Sequence, residues 1–182
     1  MKILAISDTH GKTRKSIEII DSQKESLDMV VHLGDYISDA QEISANFKLP
    51  FEFVGGNMDG TAGDEAYKTI ETPYGKILLT HGHLDSVKSN LNSISYRTEE
   101  MGCKAVIFGH THSTCFAQVG GIYLINPGSI SAPRLTTQGT YFILDINEKE
   151  ILCTQYFVDK EVPQTQNVSG KLKDILNNSD RF

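Results

Sequence analysis

Five short apolar stretches in the first two-thirds of this chain are each followed at once by Asp, Asn or His, usually beside a glycine. Each stretch has the length and the β-branched content of a strand. The stretches and their clusters are KILAIS (2–7) with DTH (8–10), DMVVHL (28–33) with GD (34–35), FEFV (51–54) with GGNMD (55–59), KILLT (76–80) with HGH (81–83), and AVIF (105–108) with GHTH (109–112). This pattern is typical of an α/β protein whose strand ends form a polar site.

The segments between these stretches predict the rest of the fold. Apolar residues recur at helical spacing over 12–26 and 86–101 and, more weakly, over 38–47. Strands that alternate with helices favour an α/β domain in the first two-thirds. Three further runs (122–125, 140–146 and 150–158) are separated by turns rather than helices, which favours antiparallel pairing in the last third. We therefore expect two packed sheets with helices outside them.

The length of the chain predicts a single domain. Its 182 residues suffice for one sizeable core and are too few for two. We place this domain at 1–160. From 161 onward the sequence is polar and rich in turn residues, although KLKDILNN (171–178) has the spacing for one or two helical turns. The tail at 161–182 is therefore expected to be either a short helix or a loosely docked segment.

The polar clusters together predict a metal site. In α/β sheets the carboxyl ends of the strands border the ligand crevice, so side chains placed there converge from separate strands. Glycines beside them permit sharp turns and close approach of the backbone. Carboxylate, amide and imidazole groups bind ions such as Mn²⁺, Fe²⁺, Zn²⁺ and Ni²⁺. One ion needs fewer groups than are present, so we expect two ions that share a carboxylate. The candidates are Asp8, His10, Asp35, Asn57, His81, His83, His110 and His112.

Several of these residues have simpler explanations when each is taken alone. Asp8 precedes a helical segment and could be its cap. His32 lies inside an apolar run and is expected to be a hydrogen-bonded histidine embedded in the sheet. NPGS (126–129) is expected to form a β-turn, and Arg134 beyond it could approach a substrate phosphate. The metal prediction depends on the five clusters acting together.

Bulk properties exclude several classes of partner and location. The net charge of −6 does not favour nucleic acid or an anionic membrane, and it suits a protein that binds cations. Ser7 and Asp8 interrupt the first apolar run, so we do not expect a signal peptide. No stretch approaches the roughly 20 apolar residues of a membrane span. The three cysteines have no paired spacing and are expected to be reduced thiols in the cytoplasm.

The order Asp-x-His, Gly-Asp, Gly-Asn-x-Asp, His and Gly-His-x-His resembles the calcineurin-like metallophosphoesterase superfamily. The short length and the strings THGH, GHTH and NPGS resemble its small YfcE-type phosphodiesterases. The resemblance covers about residues 1–158. It implies the metallophosphoesterase fold, a β-sandwich of two mixed sheets flanked by helices, with a di-metal site at one edge.

The resemblance also implies a role for each candidate residue. The first metal would be held by Asp8, His10 and His112, the second by Asn57, His81 and His110, and Asp35 would bridge both. Asp59 would orient a ligand from behind, which makes the implied catalytic set Asp35, Asn57, Asp59 and His81. His83 would lie behind the ligands or face the substrate. We expect Mn²⁺ in both positions, with Ni²⁺, Fe²⁺ or Zn²⁺ as alternatives.

Met58 narrows the expected reaction. Many members of the superfamily have Gly-Asn-His-Asp, in which the histidine helps to protonate the leaving group, but position 58 is methionine here. A site without that acid favours a diester whose leaving group is a weak base. We therefore predict a phosphodiesterase that acts on a small phosphoester. Two alternatives stay open: a phosphomonoesterase acting on nucleotides or sugar phosphates, and a non-catalytic scaffold of the same fold, as in the retromer complex. Whether the chain forms a homo-oligomer is also left open.

Overall fold

The computed structural model describes residues 1–158, which form ten strands and three α-helices. The strands are β1 (Lys2–Ile6), β2 (Met29–His32), β3 (Phe51–Phe53), β4 (Tyr67–Thr72), β5 (Gly75–Thr80), β6 (Ala105–Phe108), β7 (Thr114–Val119), β8 (Ile122–Pro127), β9 (Thr140–Ile146) and β10 (Ile151–Phe157). The helices are α1 (Thr13–Gln23), α2 (Ile37–Ser44) and α3 (Asn92–Glu100), and short 3₁₀ turns lie at Lys24–Ser26, Asn57–Asp59, Gly63–Ala66 and His83–Asp85. The tail predicted at 161–182 lies outside the described residues.

The strands form two five-stranded mixed sheets, which confirms the fold class predicted from the sequence. The first sheet has the order β10-β9-β1-β2-β3, in which β1, β2 and β3 are parallel and β9 and β10 are antiparallel additions. The second sheet has the order β4-β5-β6-β8-β7. Its central strands β5, β6 and β8 are parallel, and its edge strands β4 and β7 are antiparallel to their neighbours.

Strand β1 shows how the sequence builds a layered core. Its side chains point alternately to the two faces of the sheet. Ile3 and Ala5 pack between the two sheets, whereas Leu4 and Ile6 pack against α1 and α2. Fully burying a large apolar side chain of this kind contributes about 1.5–3 kcal/mol. On the other side of the sandwich, α3 packs onto the second sheet through Ile94. Helices therefore flank both outer faces, as expected.

Strands β4 and β7 were not predicted from the sequence. Each is an edge strand that buries a single apolar side chain, Ile70 in β4 and Ala117 in β7, and neither contains an apolar run as long as those of the central strands. Strand β7 also explains why the last third is not wholly antiparallel. The chain leaves β6, returns along the edge as β7 and turns into β8, so β8 lies between them and runs parallel to β6.

Helix α3 is shorter than the predicted segment 86–101, because it begins only at Asn92. Asp85 accounts for the delay. This buried carboxylate accepts hydrogen bonds from the Tyr67 hydroxyl at 2.9 Å and from Nε of Arg97 at 2.7 Å. Bound in this way from both β4 and α3, the chain after β5 follows a turn before it enters the helix.

The parallel strands deliver the polar clusters to one edge of the sandwich. The clusters follow β1, β2 and β3 in the first sheet and β5 and β6 in the second, and their side chains contact one another across the gap between the sheets. Among the helices of residues 1–158, none is long and apolar enough to cross a membrane.

Candidate metal centre

Asp8, just beyond the end of β1, has one carboxylate oxygen that is satisfied and one that is not. Oδ2 accepts hydrogen bonds from the Ser7 hydroxyl at 2.6 Å and from the backbone N–H of His110 at 3.1 Å. Oδ1 is buried and accepts no aligned hydrogen bond, although Nε2 of His112 lies 3.2 Å away and Nε2 of His81 lies 4.0 Å away. A buried anionic oxygen without a partner is costly, so Oδ1 is placed to bind a cation.

Asp35, in the loop after β2, repeats this arrangement. It is 3% exposed, and its Oδ2 accepts no aligned hydrogen bond even though Nδ1 of His10 lies 2.6 Å from it. The other ring nitrogen of His10 lies 3.2 Å from Nε2 of His112. Potential ligand atoms therefore crowd together around one point. Asp8, His10 and His112 each offer a ligand atom within 4.8 Å of the other two.

His81, after β5, joins the remaining predicted ligands. Its Nε2 lies 3.0 Å from Oδ1 of Asn57 and 3.2 Å from Nδ1 of His110. His81 also shares a second group with Asp8 and Asp35, whose ligand atoms again lie within 4.8 Å of one another. Each of the seven residues predicted to bind metal therefore lies against at least one other member of the set.

Backbone carbonyls orient two of the imidazoles. Nδ1–H of His81 donates to the carbonyl of Leu33 at 2.6 Å, and Nδ1–H of His112 donates to the carbonyl of Ala132 at 2.8 Å. Each ring therefore turns the lone pair of Nε2 toward the cluster. Groups behind a ligating histidine commonly select its tautomer in this way.

Strained backbone is concentrated at the predicted ligands. Five of them have φ in the left-handed region, namely Asp8 (54°), His10 (49°), Asp35 (97°), His110 (67°) and His112 (58°). In the described part of the chain, Ser86 is the one further non-glycine residue with positive φ. Such conformations cost about 1–3 kcal/mol each and gather at functional sites. These conformations therefore lower the stability of the fold, and they direct the five side chains toward a common centre.

Burial and mutual contacts shift the pKa values of the cluster in both directions: the shifts at Asp8, His81 and His110 favour the form that binds a cation, whereas those at Asp35 and His112 oppose it. Burial lowers the pKa of His81, and burial together with the neighbouring His81 lowers the pKa of His110 to about 4. Burial raises the pKa of Asp35. Burial would also raise the pKa of Asp8, but the contact with His112 and the charge of His81 outweigh it and lower that pKa. The contact with Asp8 in turn raises the pKa of His112.

Two glycines let the loops pack this closely. A Cβ on Gly56 would lie 2.5 Å from the backbone of Asp35. A Cβ on Gly109 would overlap the Ser7 hydroxyl and lie 2.9 Å from Oδ2 of Asp8. Both glycines belong to the clusters that the sequence singled out, and both are needed because a side chain would meet the backbone of Asp35 at Gly56 and the side chains of Ser7 and Asp8 at Gly109.

Asp59 lies behind the cluster rather than in it. Its carboxylate accepts hydrogen bonds from the backbone N–H groups of Gly56 at 2.9 Å and Ile37 at 3.0 Å. Ile37 is the first residue of α2, and no side chain of the preceding residue caps that helix. Asp59 therefore binds the loop of Asn57 to the start of α2, close to Asp35.

Three further residues from the sequence analysis lie around the cluster. Nε2–H of His83 donates to the carbonyl of Thr61 at 3.0 Å, and its ring lies 6.1 Å from that of His110. Met58 is 55% exposed. Arg134 is exposed, and its backbone N–H donates to the carbonyl of His112 at 3.1 Å. None of these side chains contacts a predicted metal ligand through a hydrogen bond among residues 1–158.

The β-turn predicted at NPGS is not found, because Asn126 and Pro127 are the last residues of β8. This segment and the residues just after it instead support the cluster. The hydroxyls of Ser129 and Ser131 both donate to the carbonyl of Asp8, at 2.8 and 3.1 Å. The amide of Asn126 donates to the carbonyl of Gly109 at 2.8 Å. The segment therefore supports the loops after β1 and β6. The residues of this segment were noted in the sequence, but a β-turn was enough to explain them. Their hydrogen bonds to the two loops could be recognised only in the structure.

The donor set fits divalent metal ions. Two buried carboxylate oxygens lack hydrogen bonds, and imidazole nitrogens and an amide oxygen converge beside them. The alternative that Asp8 caps α1 is not supported, because Lys12 is the residue that precedes the helix and no side-chain cap is present. Mixed oxygen and nitrogen donors of this kind suit first-row transition ions.

Comparison with known proteins points the same way. A family model described as the calcineurin-like phosphoesterase superfamily domain matches residues 1–149. The chain is 33% identical over 171 residues to a protein of Bacillus subtilis named probable metallophosphoesterase YsnB, covering 92% of this chain and 98% of the relative. It is 31% identical over 177 residues to phosphodiesterase MJ0936 of Methanocaldococcus jannaschii (82% and 96% covered). Phosphodiesterase YfcE of Escherichia coli is 24% identical over 172 residues (80% and 88% covered).

Solved structures share the fold. A conserved protein of Streptococcus pneumoniae, described as a predicted phosphoesterase, superposes with a TM-score of 0.76 at 29% identity, covering 91% of this chain and 97% of the other. A single mutant of Vps29 from Entamoeba histolytica superposes with a TM-score of 0.74 at 21% identity and the same coverage. At that identity the likeness to Vps29 concerns the fold alone.

Proposed function

Because this chain belongs to the calcineurin-like phosphoesterase superfamily, we propose that it hydrolyses a small phosphodiester with the help of two divalent metal ions. The observation that carries this proposal is the pair of buried carboxylate oxygens, Oδ1 of Asp8 and Oδ2 of Asp35, that accept no aligned hydrogen bond. Within residues 1–158, imidazole nitrogens stand beside both oxygens. Two buried carboxylate oxygens without hydrogen bonds are costly, and bound cations would supply the missing partners.

The contacts support two metal positions. Asp8, His10 and His112 form one group and would hold the first ion. The second would be held by His81 together with the Asn57 and His110 atoms that approach its Nε2. Asp35 would bind both ions, because its Oδ2 lies beside His10 of the first group while Asp35 also groups with His81 of the second.

The chain's own residues would prepare the reaction in three ways. When bound, the divalent ions lower the pKa of water and offset charge on the phosphoryl oxygens. The carbonyls behind His81 and His112 hold each Nε2 toward the centre. Asn57 is exposed, and its amide oxygen lies against Nε2 of His81, so the amide would be accessible both to an ion and to a substrate from solvent. Asp59 binds the N–H of Gly56 and keeps the Asn57 loop in place.

A diester is the proposed substrate because no proton donor stands where the superfamily often places one. Met58 follows Asn57, is 55% exposed, and cannot protonate a leaving group. The Nε2–H of His83 is engaged by the carbonyl of Thr61, so that nitrogen is not offered as a replacement donor. Diesters whose leaving group is already a weak base need no such acid. The relatives MJ0936 and YfcE carry the name phosphodiesterase, which agrees with this choice.

Mn²⁺ is the proposed resident ion, and the cytoplasm is the proposed location. Carboxylate, amide and imidazole donors in an open site suit Mn²⁺, and Ni²⁺, Fe²⁺ and Zn²⁺ share much of the same ligand preference. The cysteines Cys103, Cys115 and Cys153 are all free thiols. Unpaired thiols are expected in a reducing compartment.

A substrate panel on metal-reconstituted protein tests the proposal. The protein is stripped of metal, reloaded separately with Mn²⁺, Ni²⁺, Fe²⁺ or Zn²⁺, and assayed against aryl diesters, alkyl diesters and monoesters, with bound metal counted by elemental analysis. We expect two ions per chain and the highest kcat/KM with aryl diesters. Strong turnover of monoesters with none of diesters would identify a phosphomonoesterase. Metal binding without turnover of any ester would instead favour a scaffold.

A further inference from the structure

Behind the cluster, a continuous chain of hydrogen bonds joins the loop after β1 to the loop after β2. The backbone N–H of Gly34 lies 3.3 Å from Nδ1 of His32, and Nε2 of His32 lies 3.2 Å from the Thr9 hydroxyl. That hydroxyl lies 2.6 Å from Oδ2 of Asp39, which the backbone N–H of Gly11 also approaches to 2.7 Å.

The chemistry of the groups allows one direction for this chain. The carboxylate of Asp39 can only accept, so the Thr9 hydroxyl donates to it. The oxygen of Thr9 then accepts from Nε2–H of His32, and the unprotonated Nδ1 of His32 accepts from the N–H of Gly34. Burial lowers the pKa of His32 to about 4, which agrees with the neutral ring that this pattern requires.

These hydrogen bonds hold the residues that flank three predicted ligands. Thr9 lies between Asp8 and His10, and Gly34 directly precedes Asp35. All three ligands have φ in the left-handed region and tend to relax away from it. Backbone so strained stays in place only when its surroundings hold it, and these hydrogen bonds act at the adjacent residues.

The residues that form these hydrogen bonds are also shielded from water. Thr9 and His32 are fully buried, and Asp39, in the first turn of α2, is 6% exposed. Water therefore cannot take over a bond that is lost. Fully connected buried networks of this kind define one geometry, whereas a broken one leaves polar groups unsatisfied.

We propose that the Thr9 hydroxyl is the positioning group that keeps the two metal-binding loops in register and thereby sets the metal affinity of the centre. The inference rests on the proposed function, because it concerns the same metal ions. Thr9 itself touches neither metal nor substrate. It acts through the backbone of Asp8, His10 and Asp35.

The test measures Mn²⁺ binding to metal-stripped protein by titration calorimetry. Thr9→Val keeps the shape of the side chain and removes the hydroxyl. Disturbing groups behind a metal ligand typically weakens affinity about 10- to 100-fold, and we expect a rise in Kd of that size. Thr9→Ser restores the hydroxyl and should restore most of the affinity. High Mn²⁺ concentrations should recover the kcat of Thr9→Val, because the defect lies in metal binding.

Thr98→Val is the matched control. Thr98 is fully buried and its hydroxyl donates to the carbonyl of Ile94 at 2.6 Å within α3. The substitution is chemically identical but lies on the far face of the second sheet, so the Kd for Mn²⁺ should not change. If Thr9→Val does not fold, Asp39→Ala is the second variant. It removes the carboxylate that accepts the hydrogen bond of Thr9, and alanine is a good helix former at this position in α2. We expect it to weaken Mn²⁺ binding similarly.

Two outcomes separate this inference from the proposed function. A Thr9→Val protein could be less stable without metal but bind Mn²⁺ as tightly as the wild type. The hydrogen bonds of Thr9 would then have only a structural role, and this inference would be overturned while the proposed function would stand. A wild-type protein that binds no divalent ion would overturn the proposed function as well.

Discussion

Oδ2 of Asp35 lies 2.6 Å from Nδ1 of His10, is buried, and accepts no aligned hydrogen bond from residues 1–158. Burial raises the pKa of this carboxyl, which means that its charge destabilises the metal-free fold. A carboxylate kept in such surroundings does not serve the stability of the metal-free chain, and under the proposed function it would bind the metal ions. Asp35 is therefore the residue whose removal most directly tests the centre.

Replacing Asp35 by Asn should remove activity and stabilise the metal-free protein. Because the pKa is raised, the folded state holds the proton more tightly than the unfolded state, and stability falls as the pH rises through the folded pKa. Asn carries no charge, so the melting temperature without metal should equal or exceed that of the wild type at neutral pH. The rise in melting temperature on adding Mn²⁺ should disappear. The kcat/KM should fall by more than the roughly 10- to 100-fold typical of residues behind a metal ligand. Unchanged activity would exclude the bridging role.

Metal affinity should increase with pH because His112 must lose a proton to bind an ion. The contact with Asp8 raises the pKa of His112 in the metal-free protein, so the ring is protonated at mildly acidic pH. Below that pKa, the ion held by Asp8, His10 and His112 displaces this proton, and its affinity should rise by up to about tenfold per pH unit before it levels off above the pKa. His110, whose pKa is lowered to about 4, should not add to this dependence near neutrality. Calorimetry in buffers of different ionisation enthalpy would count the released proton. Equal affinities at about pH 6 and about pH 8 would contradict the assignment.

Gly56→Ala should damage the centre from the backbone. Its φ of −112° suits any residue, so strain is not the difficulty. The added Cβ would lie 2.5 Å from the backbone of Asp35 and must push that loop away. We expect a loss of about 1–3 kcal/mol in the free energy of unfolding, together with weaker Mn²⁺ binding.

Gly60→Asn is the control in the same loop. Gly60 has a φ of 69°, a Cβ added to it would meet nothing within 4 Å, and Asn tolerates the left-handed region. Urea unfolding and Mn²⁺ titration of both variants check the prediction. Two equally affected variants would mean that the loop is sensitive to any substitution.

Met58→His should broaden the range of leaving groups. The side chain at this position is 55% exposed, so the change should not disturb the fold. General acids typically contribute about 10²–10⁴-fold, and an added histidine should raise kcat/KM for alkyl esters by up to the lower end of that range. Aryl esters, which need no acid, should change little. Met58→Leu controls for loss of the thioether. The ratio of the two rates on one alkyl and one aryl diester is the measurement, and an unchanged ratio would contradict the argument from Met58.

The stability of the turn after His81 should depend on the buried carboxylate of Asp85. Tyr67→Phe removes one hydrogen bond to Asp85 and should cost about 0.5–1.5 kcal/mol in the free energy of unfolding. Arg97→Ala leaves Asp85 without its cationic partner and should cost more, because the carboxylate is 2% exposed. Denaturant unfolding ranks the two variants. Equal costs would show that the cation adds nothing beyond a hydrogen bond.

Much of the sandwich follows from local pattern. The central strands contain continuous apolar runs because they are buried on both faces, as Ile3 and Leu4 in β1 show. The edge strands β4 and β7 carry no such signal, because each buries only one apolar residue. Their existence depends on a neighbour that supplies hydrogen bonds, which no local segment specifies. The late start of α3 has a similar origin, since Asp85 is bound by residues distant along the chain.

The candidate site divides in the same way. Residue type and position after a strand were enough to select Asp8, Asp35 and the histidines, because the ends of the parallel strands of both sheets lie at one edge of the sandwich. The supporting groups could not be selected, since Ser129, Thr9 and Asp39 are ordinary polar residues in the sequence. Their roles arise from hydrogen bonds across the fold. The sequence by itself determined which side chains converge, through apolar pattern and glycine placement. Tertiary structure alone decided which atoms are left unsatisfied and which ring nitrogens face them, because both depend on partners that only folding brings within bonding distance.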